Sequence, residues 1–237
     1  MAEYCIIFSG GDMPEISFET ARELQDSADL IICADSGLRH ALKYGIKPDI
    51  IVGDFDSYTD KLPENCEILR SVPEKDDTDT LLAVRKAIEL GCTEIDLYGA
   101  LGGSRFEHTA ANIQTMLFAH EHGCRLNICA ESRLMLQYPE DDVKIYEKPQ
   151  NDCYFSVFAM SNEVHVDFLK GTKYPLENYI MTNAFPIGVS NEFSGDRIEL
   201  RISEGVVLII LTLKATPHKD CAAETQSDFS SDCTEIL

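Results

Sequence analysis

Short apolar runs alternate with helical patterns over the first 130 residues of the chain. YCIIFS (4–9) predicts a strand ending in a loop at Gly10, Gly11 and Asp12. LIICAD (30–35) predicts a second strand, and a short helix over 37–44 follows, stopped by Gly45 and Pro48. DIIV (49–52) and EILRSV (67–72) read as further strand segments. The clearest helix spans 77–90, where Leu81, Val84, Ala87 and Ile88 fall on one face and Gly91 closes the end. EIDLYGA (94–100) is a strand entering a glycine-rich turn, 107–122 is a helix closed by Gly123, and RLNICA (125–130) is a strand. Strands alternating with helices over short connections predict an α/β domain with a parallel sheet.

Past residue 131 the period changes from helical to strand-like. DVKIYE (142–147), YFSVFAM (154–160), EVHVDFL (163–169), IELRIS (198–203) and VVLIILTL (206–213) read as strands separated by Gly, Pro, Asn and Asp. The expected organisation is an α/β domain over 1–135, an all-β, sandwich-like domain over 136–216, and a flexible acidic tail over 217–237. GTKYPLEN (171–178) and GVSNEFSG (188–195) read as loops, with Ser190 and Asn191 as short polar groups suited to a heterocycle.

Charge narrows the choice of partner. The 237 residues carry 20 Lys and Arg against 41 Asp and Glu, a formal charge of −21. The tail holds five acids and one lysine, so about −17 remains on the rest. Such a surface disfavours nucleic acid or an anionic membrane as partner. It does not exclude a nucleotide, which needs only a locally basic or metal-bearing site. Nine scattered cysteines without a C-x-x-C pair fit free thiols in a reducing compartment. The start, MAEYCIIFSGGD, lacks the basic region of a signal peptide, and the longest apolar run, 206–211, is far shorter than a membrane span. The expectation is a cytoplasmic protein.

The acids with chemical promise stand at the ends of apolar runs. Asp35 ends one strand, Asp54 and Asp56 follow another, and Asp76, Asp77 and Asp79 open the best helix. In a parallel sheet those ends border the binding crevice. Read singly, each acid is equally a cap or turn residue. Together they would repel one another unless a hard divalent cation such as Mg²⁺ joined them. A second cluster, GALGGSRFEHTAANIQ (99–114), places Gly99, Gly102 and Gly103 before Arg105 and His108 at a helix start. Backbone N–H groups there favour an anion, and an arginine adds charge-assisted hydrogen bonds. The cluster is neither a Walker A nor a G-x-G-x-x-G motif. Asn112 lies one turn beyond His108.

Five stretches in order, ADSGLRHALKYGIKPDIIVGDFDS, EKDDTDTLLAVRKAI, GALGGSRFEHTAANI, GTKYPLEN and SNEFSG, resemble the thiamine pyrophosphokinase (thiamine diphosphokinase) family over about residues 4–213. The resemblance implies transfer of pyrophosphate from ATP to the hydroxyl of thiamine, with Mg²⁺ required and AMP released. It implies a homodimer with thiamine bound where subunits meet, an ATP-binding catalytic first domain and a thiamine-binding second one. By the same resemblance Asp54, Asp56, Asp76 and Asp79 serve the metal. Asp35, Thr78, Gly102, Gly103, Arg105 and His108 border the nucleotide, and Ser190 and Asn191 the thiamine heterocycle. Asp54, Asp56, Asp79 and Arg105 are then the catalytic candidates. Ser36 stands where the family pattern has glycine, and Glu107 where Asp is commoner. The rival readings are a haloacid-dehalogenase-like phosphatase with Asp54 as nucleophile, and a non-catalytic nucleotide or thiamine binder.

Overall fold

The computed structural model describes residues 2–54, 62–70 and 77–214. The expected acidic tail, 217–237, lies outside them. The chain divides into two compact units between Ala130 and Glu131.

The first unit contains β1 (Tyr4–Phe8), α1 (Phe18–Ser27), β2 (Leu30–Ala34), α2 (Gly37–Lys43), β3 (Ile50–Gly53), β4 (Glu67–Arg70), α3 (Asp79–Glu89), β5 (Glu94–Tyr98), α4 (Phe106–Glu121) and β6 (Arg125–Cys129). Its strands form a parallel sheet in the order β6-β5-β1-β2-β3-β4. The chain steps from β1 outward through β4, then returns to the other side of β1 with β5. The order therefore reverses between β1 and β5, the position at which an open α/β sheet places a crevice beyond its strand ends. β2 is buried at every position, as a strand covered on both faces must be. Phe8 and Tyr98, paired across β1 and β5, stack with ring centroids 5.5 Å apart.

One helix escaped the pattern reading. α1, FETARELQDS, buries only Thr20 and Ala21, so its apolar stripe is too thin to register. Its start is nevertheless marked: Ser17 caps it by accepting the Thr20 N–H at 3.0 Å, and Glu19 sits in the first turn. After α1 the chain is pinned by Asp29, whose carboxylate accepts the N–H groups of Glu3 and Tyr4 at 2.9 and 3.0 Å. Those two bonds hold its carboxyl below the usual range. A depressed carboxylate stabilises the fold above its unfolded pKa, and that contribution disappears as pH falls through the folded value. Asp29→Asn is accordingly expected to lower the melting temperature at neutral pH, with the gap to wild type closing on acidification. Paired melts across that range check it.

Free thiols are confirmed at the described cysteines. Cys5, Cys33, Cys92, Cys124, Cys129 and Cys153 are buried and Cys66 is half-buried, none of them in a disulfide. Burial pushes the Cys124 thiol up to about 12 and that of Cys153 up to about 11, which keeps both protonated and unreactive.

The second unit is all-β and antiparallel. It contains β7 (Ser132–Gln137), β8 (Val143–Glu147), β9 (Cys153–Ala159), β10 (Glu163–Lys170), β11 (Leu176–Thr182), β12 (Asn191–Glu192), β13 (Arg197–Glu204) and β14 (Val207–Leu213). One sheet runs β11-β10-β13-β8, and the other strands pair as β12-β9-β14-β7. Phe155, Val157, Val164, Val166, Ile198, Leu200, Ile202, Val207 and Ile209 share one core between the sheets. Ile198, Leu200 and Ile202 alternate with more exposed neighbours along β13, the signature of a strand with one buried face. Gln137, fully buried, donates to the Leu200 carbonyl at 2.9 Å and accepts from the Tyr146 hydroxyl at 3.0 Å, so its amide enters the core without an unmet polar group.

Two expected loops are partly ordered strand. Leu176–Asn178 of the 171–178 stretch opens β11, and Asn191–Glu192 of the 188–195 stretch forms β12. Pro175 ends the turn and β11 begins directly after it, so proline and glycine punctuation overstated the loop. β7 was also missed, since SRLMLQ has no β-branched residue to announce it.

Candidate active site

The crevice at the β1/β5 reversal is a cleft of about 260 Å³. Its walls come from the C-terminal ends of β1, β2 and β5 and from the starts of α3 and α4. Asp35, Thr78, Asp79, Gly102, Gly103, Arg105 and His108, all selected from sequence, line it together. Asp54 is not among the lining residues; it directly follows β3, whose end runs beside the Asp35 backbone: Asp35 N–H donates to the Val52 carbonyl at 2.7 Å, and a Cβ on Gly53 would stand 3.2 Å from the Asp35 Cα. Asp56 and Asp76 lie outside the described residues. Ser190 and Asn191 belong to the second unit.

Two glycine loops build the floor. The loop after β1 and the loop after β5 are zipped by Gly11 N–H to the Gly99 carbonyl at 2.6 Å and Asp12 N–H to the Leu101 carbonyl at 2.7 Å. The Asp12 carboxylate accepts the Gly103 N–H at 3.1 Å. A Cβ on Gly11 would lie 2.4 Å from the Leu101 carbonyl oxygen, so only glycine permits this approach. Gly102, at φ +71°, has a left-handed backbone as well, and a Cβ there would strike Asp12. Ser9, Gly10 and Gly11 thus line the cleft, where the sequence shows only a strand end and the loop after it. A strand running into Gly-Gly was the available signal. Its meaning depended on β1 lying at the reversal, which strand order alone reveals.

The side chains around that floor are fixed in distinct ways. Thr78 caps α3 by accepting the Leu81 N–H at 3.1 Å, which sets Asp79 on the first turn at the cleft wall. Ser9 and Thr80 share a hydroxyl hydrogen bond of 2.7 Å, both buried. Asn112 is buried and donates to the Ala100 carbonyl at 2.7 Å, tying α4 to the glycine loop. Arg105 is exposed, its Nε donating to Glu107 at 2.8 Å, and this ion pair holds the Glu107 carboxyl below its usual range. The pairing uses one of the five guanidinium donors, and the others remain suited to an anion in the cleft. Ser36, at the departure from the family pattern, places its hydroxyl where a Cβ on Gly10 would come within 2.1 Å, so the serine packs directly over that glycine.

Asp35 carries the most informative defect. Its backbone is left-handed, at φ 46°, and its buried Oδ1 has no hydrogen-bond partner among the described residues. A buried carboxylate oxygen left unmet costs roughly 1–3 kcal/mol or more, so it calls for a ligand. Its neighbours supply oxygen donors, which suit a hard cation. Among the described residues no group of three or more His, Cys, Asp or Glu is close enough to hold a metal unaided.

In the second unit Asn191 is buried. Its Oδ1 accepts the Tyr174 N–H at 3.0 Å and its Nδ2 donates to the Tyr174 carbonyl at 2.8 Å. The amide is spent on holding the 171–174 segment. Ser190, at φ 56°, donates its N–H to the Ser156 hydroxyl at 3.0 Å. Tyr174 itself is largely exposed. Among the described residues no helix is long and apolar enough to cross a membrane.

Comparison with known proteins gives a consistent answer. The family model described as thiamin pyrophosphokinase, catalytic domain, matches residues 21–128, and the one described as thiamin pyrophosphokinase, vitamin B1 binding domain, matches 142–207. A thiamine pyrophosphokinase of Bacillus subtilis (strain 168) is 31% identical over 192 residues, covering 78% of this chain and 88% of the relative. A solved thiamine pyrophosphokinase structure from Bacillus subtilis superposes with a TM-score of 0.78 at 26% identity, covering 90% of this chain and 100% of that one. One from Geobacillus thermodenitrificans gives 0.74 at 25% identity, covering 90% and 99%. The Candida albicans enzyme, at 17% identity and a TM-score of 0.70 over 89% of each chain, shares the fold. The chain belongs to the thiamin pyrophosphokinase family.

Proposed function

We infer that the protein transfers pyrophosphate from ATP to the hydroxyl of thiamine, releasing AMP and thiamine diphosphate. Family membership supports the reaction. The observation that carries the assignment to this cleft is the convergence of Asp35, Asp79, Arg105 and the glycine loops at the β1/β5 reversal. Phosphates suit the glycine-loop floor and the start of α4, where N–H groups and Arg105 favour negative charge.

The thiamine hydroxyl attacks the β-phosphorus. A new O–P bond forms, the bond to the AMP oxygen breaks, and the hydroxyl proton passes to a carboxylate, with Asp54, Asp56 and Asp79 as candidates. Catalysis on this scheme is chiefly alignment and electrostatic stabilisation. The oxygen donors fit Mg²⁺, with Asp54 and Asp79 among its holders together with Asp56 and Asp76, and the orphaned Asp35 oxygen fits the same cation. Bound there, Mg²⁺ would neutralise charge on the phosphate oxygens. Thr78 holds the α3 start in place, and His108 stands at the nucleotide wall. Ser190 and Asn191 shape the thiamine site of the second domain, Asn191 by anchoring the Tyr174 segment. The working unit on this reading is a cytoplasmic homodimer with thiamine bound where subunits meet.

An AMP-release assay with ATP, Mg²⁺ and thiamine tests the assignment. AMP and thiamine diphosphate should appear in equal amounts, only when the metal is present. Release of inorganic phosphate instead would favour a phosphatase, and binding without turnover a non-catalytic protein.

A further inference from the structure

The geometry points to His40 as a positioning residue for the phosphate-binding floor, an inference that rests on the reading of the cleft given above. His40 is not among the residues lining the cleft. It projects from α2, whose first residue packs so closely on β1 that a Cβ at Gly37 would stand 2.1 Å from the Phe8 carbonyl oxygen. The start of the helix is thus seated directly against the end of β1. From this fixed base the His40 Nε2 stands 2.8 Å from the Gly11 carbonyl oxygen. A carbonyl only accepts, so Nε2 carries the proton and donates.

The same ring faces the other loop. A Cβ on Gly99 would come 3.4 Å from the His40 Cδ2, so the imidazole edge borders the space beside Gly99. The Gly11 carbonyl and the Asp12 N–H belong to one peptide unit. His40 holds the first, and the Leu101 carbonyl holds the second at 2.7 Å. That peptide plane is thereby gripped from both sides. Glycine has the widest backbone freedom of any residue, so without the imidazole the Gly11–Asp12 peptide can turn. A turned peptide presents its carbonyl dipole toward an anion in the cleft and loosens the zip to Gly99–Gly103. The expected consequence is weaker phosphate binding, with the hydroxyl-bearing substrate unaffected.

His40→Ala and His40→Phe both remove the donor, the second keeping a ring of similar volume. His40→Gln keeps an N–H donor. Both donor deletions are expected to raise KM for ATP by about tenfold, with kcat at saturating ATP and KM for thiamine within about twofold of wild type. His40→Gln is expected to stay within about twofold in all three. Titration calorimetry with inorganic tripolyphosphate and Mg²⁺ should show the same tenfold loss in the two deletions and none in His40→Gln. Melting curves confirm that the variants compared are folded. The inference is overturned if the folded deletions bind tripolyphosphate as wild type does. It is equally overturned if KM rises alike for ATP and thiamine, if His40→Gln is as impaired as His40→Phe, or if wild type does not bind tripolyphosphate. A wild-type protein that binds tripolyphosphate but forms no thiamine diphosphate would sink the assigned reaction alone, and the calorimetric comparison would still decide the role of His40.

Discussion

Asp79→Asn is expected to lower kcat for AMP release by about 10³-fold, the scale associated with losing electrostatic stabilisation of the transition state, here through the cation that Asp79 is proposed to help hold. Asp79 is the first residue of α3 and stands on the cleft wall beside the Thr78 cap. Asparagine keeps the shape of the side chain, and the capping bond from Leu81 to Thr78 does not involve it. The favourable placement of a negative charge at a helix N-terminus, which the folded state loses, is typically worth about 0.3–1 kcal/mol. Function and stability should therefore separate, with turnover collapsing while the thermal transition moves by a few degrees at most. The measurement is a steady-state AMP assay paired with calorimetry on the same preparation. A loss of tenfold or less would move the charge-bearing role to Asp54, Asp56 or Asp35.

Phe155→Ala should produce the largest loss of stability among single truncations in the second unit, about 3–5 kcal/mol. Phe155 is fully buried on β9. Its ring meets Tyr146 edge-on at 5.2 Å and Phe193 at 6.0 Å, with interplanar angles of 65° and 84°. These contacts join β9, β8 and the segment after β12, so truncation leaves a cavity with walls on three elements. Rigid strands cannot collapse into it, which places the cost at the upper part of the range. Phe193 also pairs with Thr172 in an isolated bridge, so the loss reaches the loop that Asn191 anchors. Urea unfolding followed by tyrosine fluorescence measures the change. A loss under about 1 kcal/mol would mean that the two rings close over the gap.

The two architectures were legible because their periods differ. Buried parallel strands such as LIICA and the one-sided helix over 79–89 announce themselves, and so do the alternating strands β10 and β13. α1 and β7 were not legible, one for want of an apolar face and the other for want of β-branched residues. At the site, the acids and Arg105 were readable as charges placed at element ends. Ser9, Gly11 and His40 were not, because their roles arise from the neighbours that strand order supplies. His40 lies 29 residues from Gly11 and meets it only because β1 and β2 are adjacent. Asn191 shows the opposite limit. Its residue type is readable, but that its amide bonds the Tyr174 backbone follows from packing alone.

That amide has a further consequence. A carboxamide that both accepts from an N–H and donates to a carbonyl of one residue is a surrogate peptide group. Asn191 therefore adds a hydrogen-bonded step between β12 and the 171–174 segment, next to the bond from the Lys173 N–H to the Glu192 carbonyl at 2.9 Å. Aspartate offers two acceptors and would face the Tyr174 carbonyl with like polarity, so the near-isostere is the wrong replacement. Tyr174 is thereby moored by its main chain while its aromatic ring stays exposed. The ring can be exchanged for another without undoing the mooring, because neither bond to Asn191 involves the Tyr174 side chain.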